Sequence, residues 1–323
     1  MKVAHLAIVT PNRCGLYETT RELVAGLRLL DVDSRLIEPG GNKIFPDGYP
    51  HSEDRGVPIT DMDWAVKADV IVNHSGYDGT PVAKTTQPII HIAHGRPRDS
   101  FLGEKNGGTP IYSYHYRQNS DPRWKAVVTL WPEHVPYLEV MYPDKPVVLV
   151  QAPVDLEAWK PGPAKYDFNG HGGKVNIVCT DTWRLDADPY VPLNTFALWA
   201  RKNPGAKLHL YARPDKKMRG FSAIIRRIQD EGHMGEVLPW VKGLQHVYRS
   251  ADVVLSTHDI DTRTVREAMA CGCPVVQVSA NLNDNEQEIS DALNYDRTLV
   301  RHQAEKRFDP KVTALEFKRI LDK

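Results

Sequence analysis

The chain has 323 residues, enough for two domains of ordinary size and for a core that needs no disulfide or metal to hold it. Hydrophobic residues make up 41% and charged residues 25%, close to the average for soluble globular proteins, which excludes a wholly disordered or fibrous chain. The 41 basic and 41 acidic residues cancel, so global charge does not favour nucleic acid or an anionic membrane as partner, and only a local patch could bind either.

The run VAHLAIVT over 3–10 predicts a first buried strand and lacks the longer apolar stretch of a secretory leader. No apolar run approaches the roughly 20 residues that cross a bilayer, and a cytoplasmic protein is the default expectation. Leu23, Leu27 and Leu30, with Val24 beside them, form a helical stripe within 18–30. Short β-branched runs then predict strands at Asp33–Ile37, Val70–Val72, Ile89–Ile92, Ala126–Thr129 and Val147–Val150. Helical or loop segments separate them, the rhythm of a parallel sheet covered by helices.

The Pro/Gly-rich stretch Trp159-Lys-Pro-Gly-Pro163 interrupts that rhythm near the middle of the chain, and the rhythm restarts behind it. Strands are predicted at 175–180, 207–212, 252–257 and 274–279, and helices at about 192–202, 219–231, 262–271 and 309–321. The expectation is an α/β chain with two Rossmann-like domains, 1–151 and 152–323, the last helix being able to return to the first domain. Facing one another, two such halves would leave a cleft into which the C-terminal strand ends point. The four cysteines, Cys14, Cys179, Cys271 and Cys273, have no spacing that completes a zinc site, and they read as small buried thiols in a reducing compartment.

The richest stretch is Ser256-Thr-His-Asp-Ile-Asp-Thr-Arg-Thr-Val-Arg-Glu-Ala-Met-Ala-Cys-Gly-Cys-Pro-Val-Val276. It predicts a strand, a polar loop, a helix starting near Thr262 or Thr264, and a stop at Gly272 and Pro274. The loop thereby delivers backbone N–H groups at a helix N-terminus, a place suited to phosphate. Arg263 and Arg266 stand in that first turn, where the helix dipole favours acids, so an anionic ligand explains them better than the helix does. Ordinary solvated arginines are the alternative.

In this stretch the chain resembles the family-four retaining glycosyltransferases of the two-domain GT-B fold. Their signature is a pair of acidic residues separated by seven others and followed by Ala-Met-Ala, a glycine and Pro-Val-Val. EAMACGCPVV at 267–276 matches it, which places the family's ribose-binding glutamate at Glu267 and its first acidic residue at Asp259. Ile260-Asp-Thr-Arg263 replaces the family's Gly-rich phosphate loop, with Thr264 behind it. Pro11-Asn-Arg-Cys-Gly-Leu-Tyr-Glu-Thr-Thr20 is similar to the family's first β–α loop, where Gly15 would let the backbone approach the donor phosphates; a simple tight turn is the other reading of Gly15. Arg184 resembles the diphosphate arginine, but the Lys-Gly that usually follows is absent, and Arg263 or Lys216 could supply that charge. His94 stands where the family has a histidine near the reacting sugar, while His91, inside the strand, reads as a core residue.

The resemblance implies transfer of a sugar from a nucleotide-diphosphate sugar, a UDP-sugar first among them, with retention of configuration and with no metal or further cofactor. His94 and Asp259 would act at the sugar, and Gly15, Arg184, Arg263, Thr264 and Glu267 would bind the donor. For the acceptor, Tyr114, Tyr116, Arg117, Arg123, Trp124 and Lys125 interleave aromatic and basic side chains in the half where this fold binds acceptors. That pattern suits stacking on a flipped or single-stranded base, and glucosylation of hydroxymethylated viral DNA is known among GT-B enzymes. It also suits a surface loop with an internal aromatic cluster. A glycan or small-molecule alcohol is the default acceptor and hydroxymethylated DNA the alternative. The departures at Asp259, the phosphate loop and the missing Lys-Gly keep open a noncatalytic nucleotide-sugar binder, and an epimerase of the same fold is a third reading.

Overall fold

A computed structural model of the chain describes residues 1–7, 15–37, 52–74, 85–94, 120–181, 190–211, 221–258, 260–278 and 282–323. The chain divides into two units, one formed by Met1–Pro153 with Arg307–Lys323 and the other by Val154–Lys306.

In the first unit the strands are β1 (Lys2–Leu6), β2 (Asp33–Ile37), β3 (Glu53–Asp54), β4 (Val57–Thr60), β5 (Val70–Asn73), β6 (Ile89–Ala93), β7 (Trp124–Thr129) and β8 (Val147–Leu149). They pair in the order β3-β4-β2-β1-β5-β6-β7-β8, every pair parallel except the short β3/β4 ladder. The inner strands read as unbroken apolar runs because both faces are covered: Val3, Ala4, Ile71, Val72, Val127 and Val128 are all fully buried. Between β1 and β2 runs α1 (Gly15–Arg28), and α2 (Met62–Ala65) and α3 (Val135–Met141) follow β4 and β7. The last helix, α10 (Pro310–Leu321), belongs to this unit and lies against α1. Its start is fixed by the Asp309 carboxylate, which accepts from the Lys311 N–H at 2.7 Å, and by a proline at the first helical position.

The second unit holds β9 (Val175–Cys179), β10 (Ala206–Leu210), β11 (Met234–Val237), β12 (Val253–Ser256) and β13 (Val275–Gln277). All are parallel in the order β11-β10-β9-β12-β13, the doubly wound pattern. Successive residues of its strands feed two cores, as the pleat requires. Ile177, Cys179, Val253 and Leu255 pack with α4 (Tyr190–Lys202), α5 (Phe221–Asp230) and α8 (Leu282–Ala292), whereas Val178 and Val254 pack with α6 (Leu244–Ser250) and α7 (Arg263–Ala270). The end of α7 is set by Gly272, whose φ of 77° is left-handed; its N–H reaches Met269 O at 2.9 Å and the Cys273 N–H reaches Ala268 O at 2.9 Å. Helix α9 (Arg297–Phe308) is tied to this unit by Arg301, which donates to the Trp159 and Ala270 carbonyls at 2.7 Å each.

Candidate functional site

In each sheet the chain leaves the first strand in one direction and later returns on its other side, so a crevice opens at the C-terminal ends where the order reverses. That point lies between β9 and β12 in the second unit and between β1 and β5 in the first. Both places carry a cluster of buried polar side chains.

Asp181, two residues beyond β9, is the hub in the second unit and is almost fully buried. Its carboxylate accepts from Ser256 Oγ at 2.7 Å, from Thr257 N at 2.7 Å, from Thr257 Oγ1 at 3.2 Å and from Thr264 Oγ1 at 2.5 Å. A buried carboxylate needs such donors, and these come from the end of β12 and the first turn of α7, so Asp181 clamps three elements together. Thr264, expected to bind donor directly, here holds the loop through Asp181 and Thr262 Oγ1, 2.9 Å away.

Arg263 and Glu267, one turn apart on α7, form an ion pair of 2.5 Å between Nε and Oε1. Both side chains are largely buried, at 18% and 6% exposed. The cation expected at the diphosphate and the carboxylate expected at the ribose are thus partners of each other. Arg266 is buried, and its Nε lies 3.4 Å from the Thr262 carbonyl. Behind Glu267, burial and then the Glu267 carboxylate raise the Tyr248 phenol well above its ordinary range. Tyr248 therefore stays neutral and shares a 2.9 Å hydrogen bond with Thr180.

In the first unit His94 follows β6 and is half-buried. Its Nε2 is 2.8 Å from Nδ1 of His74, which follows β5, and Nε2 of His74 is 2.9 Å from Nδ1 of His5 in β1. Thr20 of α1 brings its Oγ1 within 3.0 Å of His74 Nδ1. Burial lowers the His5 pKa to about 3. His74 is held well below the ordinary imidazole range by burial first and by the neighbouring histidines second. Both rings are therefore neutral at physiological pH. His91 is buried within β6, with Nδ1 3.2 Å from the Asn73 carbonyl.

The remaining expected residues fall unevenly. Gly15 opens α1 and is exposed. Trp124, expected to stack on an acceptor, is 5% exposed and belongs to the core with Leu6, Ile37 and Ile89, its ring 5.4 Å from that of His91. The reason is register: Trp124 opens β7, where an inward-facing aromatic fills the space beneath α2. Arg123 is tied to Asp121 by contacts down to 2.6 Å and donates to the Thr85 carbonyl. Lys125 is exposed. Arg184, Lys216, Asp259, Tyr114, Tyr116 and Arg117 lie outside the described residues. Cys271 and Cys273 are buried thiols pushed up to about 12 by burial. Among the described residues, no three His, Cys, Asp or Glu side chains gather so as to hold a metal ion, and no helix is long and apolar enough to cross a membrane.

A group of solved structures superposes on the chain along its whole length. HepE of Anabaena in complex with UDP-glucose superposes with a TM-score of 0.71 at 12% identity, over 100% of this chain and 99% of that one. The chain has the GT-B fold. A TarM from S. aureus, in complex with fondaparinux, alpha-GlcNAc-glycerol and UDP, gives a TM-score of 0.72 at 9% identity over 100% of both chains. An alpha-glucosyltransferase in complex with UDP and a 13-mer DNA containing an HMU base gives 0.66 at 10% identity, again over 100% of both. No family model and no curated protein matches the sequence. At these identities the likeness establishes the GT-B architecture alone; the two clusters lie at the switch points of their sheets, where open parallel sheets form a crevice.

Proposed function

We propose that the protein is a retaining glycosyltransferase that moves a sugar from a nucleotide-diphosphate sugar, a UDP-sugar in the first instance, to an acceptor hydroxyl. The observation that carries this reading is the gathering of Asp181, Arg263, Thr264 and Glu267 at the switch point of the second sheet, where α7 begins. The UDP and UDP-glucose held by the GT-B structures named above support the choice of nucleotide. In this reading Glu267 takes the ribose hydroxyls, and Arg263 exchanges Glu267 for the diphosphate together with Arg184. Asp259 holds sugar hydroxyls, His94 approaches the donor sugar, and Gly15 admits the phosphates close to the backbone.

Breaking the anomeric bond to diphosphate builds negative charge on the leaving phosphate. Arginines and helix N-terminal N–H groups fixed before the reaction stabilise that charge without reorganising, and the proposal uses no metal ion. The departing phosphate can itself take the acceptor proton. A glycan or small-molecule alcohol is the proposed acceptor, and a cytoplasmic place of action goes with a nucleotide-sugar donor. The DNA alternative loses support because Trp124 is in the core and Arg123 is paired with Asp121.

The test combines calorimetry with UDP and mass detection of products from UDP-glucose, UDP-galactose and UDP-N-acetylglucosamine. The acceptor panel holds glycans, simple alcohols and hydroxymethylated DNA. UDP binding with UDP release and a glycosylated product is the expected result. Tight UDP binding with neither release nor transfer identifies a noncatalytic binder, and absence of UDP binding rejects the reading altogether.

A further inference from the structure

The three histidines His5, His74 and His94 form a chain of ring-to-ring hydrogen bonds across β1, β5 and β6, and its proton order follows from its two ends. Each N···N contact, 2.9 and 2.8 Å, needs one nitrogen with a proton and one without. Thr20 donates its single hydroxyl proton to the Leu16 carbonyl at 2.9 Å, so its oxygen can only accept from His74 Nδ1. At the other end, His5 Nε2 is buried without a hydrogen-bond partner among the described residues. A buried N–H left unmet is costlier and rarer than a buried lone pair left unmet, so His5 carries its proton on Nδ1. Both constraints run the chain the same way: His5 Nδ1–H donates to His74 Nε2, and His74 Nδ1–H is shared between Thr20 Oγ1 and His94 Nε2. His94 Nε2 is then an acceptor, and its own proton sits on Nδ1.

We propose that His74, held by Thr20 and His5, is a positioning residue that fixes His94 in its Nδ1–H form, so that His94 meets the donor sugar as a hydrogen-bond donor and not as a base. The sugar in this statement rests on the function proposed above, whereas the proton positions rest on unit-one geometry alone. The consequence is chemical: the one basic nitrogen of His94 is turned onto His74, so the ring recognises an acceptor atom, such as a sugar oxygen, and takes no proton from the acceptor alcohol. The low pKa values of His5 and His74, caused by burial, keep this order intact through the physiological range.

The experiment uses the full chain labelled with nitrogen-15 in its histidine rings. Long-range nitrogen–proton spectra distinguish the protonated from the bare nitrogen of each ring, and His94 is assigned by its loss in His94→Gln. The wild-type protein should show His94, His74 and His5 all protonated on Nδ1. His74→Phe, which keeps a ring but offers no N–H, should move the His94 proton toward Nε2. It should also lower UDP-glucose turnover about ten- to a hundred-fold while leaving UDP affinity unchanged. His74→Asn, whose amide nitrogen lies near the place of the lost Nδ1–H, should restore the His94 pattern and part of the turnover. A His94 proton on Nε2 in the wild-type spectrum overturns the proposal, and that measurement needs no variant to fold. An unchanged His94 pattern in a folded His74→Phe protein overturns it as well. If the proton order is as stated but UDP-glucose is neither bound nor consumed, the positioning chain stands and the proposed function fails.

Discussion

Glu267 and His5 show how a single buried group can be tested without disturbing the fold around it. Glu267 is paired with Arg263, so a neutral isostere removes a charge from both the ion pair and the proposed ribose contact. Glu267→Gln should weaken UDP binding by about 1.5–3 kcal/mol, roughly 10- to 150-fold in Kd, the worth of hydrogen bonds to a charged group. Calorimetry that finds the wild-type Kd in the folded variant removes Glu267 from the ribose role. His5 tests the polar interior of the other unit. Its pKa is about 3 when folded and near 6.5 when unfolded, so between those values the unfolded chain binds a proton that the folded chain refuses. Stability conferred by the neutral ring is therefore complete above about pH 6.5 and is lost as pH falls, by up to about 1.4 kcal/mol per pH unit. His5→Phe should lower stability at every pH, because His74 loses its donor, but should flatten the acid limb. Urea unfolding between about pH 6 and 5 reads that slope, and an equal slope in both proteins assigns the acid limb to other groups.

At the scale of elements, the contact of α1 with α10 reverses an ordinary propensity. Glycine inside a helix costs about 1 kcal/mol relative to alanine, so Gly26→Ala should stabilise an isolated α1. In the folded chain a Cβ at Gly26 would lie 2.9 Å from the Pro310 carbonyl carbon and 3.0 Å from Ala314 Cβ, closer than packed atoms allow. Gly26→Ala should therefore destabilise the protein by about 1–3 kcal/mol, the usual cost of overpacking, and a rise in denaturation midpoint would contradict this contact. Elements with a strong period were legible in the sequence: β2 spans Asp33–Ile37 as expected, and the stripe of Leu23 and Leu27 lies buried on α1. Others carry little local signal. β11 has the sequence MGEV, with one β-branched residue and a glycine, and is made a strand by pairing with β10. Helices α8 and α9, rich in Asn, Asp and Arg, carry only thin apolar stripes, Ile289 and Ala292 on the one and Val300, Ala304 and Phe308 on the other, and packing against α4 or ties such as those of Arg301 help to hold them. The site divides in the same way. Arg263, Thr264 and Glu267 are visible because they share one helix turn or two, whereas Asp181 meets Thr257 and Thr264 from 76 and 83 residues away, and His74 is placed between His5 and His94 only by the strand order. Trp124 shows the opposite error, a mixed aromatic and basic run whose aromatic belongs to the core.

For the whole molecule, the division of the chain predicts that the stabilities of the two units can be moved separately. Residues 307–323 return to the first unit, where α10 covers α1 with Thr313, Ala314 and Phe317 buried, while all the proposed nucleotide residues except Gly15 lie in Val154–Lys306. A chain ending at Phe308 loses that cover but keeps Arg301 and its ties to Trp159 and Ala270. Large proteins open domain by domain, and amide exchange reports each region's own opening free energy. The truncated chain should therefore exchange faster through α1 and β1, with β9, β12 and α7 protected as before. Saturating UDP should act on the other side of the division. A ligand at about one hundred times its Kd stabilises the state that binds it by about 2.7 kcal/mol, so β9, β12 and α7 should slow in both the full and the truncated chain. Mass-resolved exchange with and without UDP measures both effects in one series. Loss of protection in both units on truncation would show that they open as one, and UDP protection confined to α1 and β1 would move the nucleotide to the first unit.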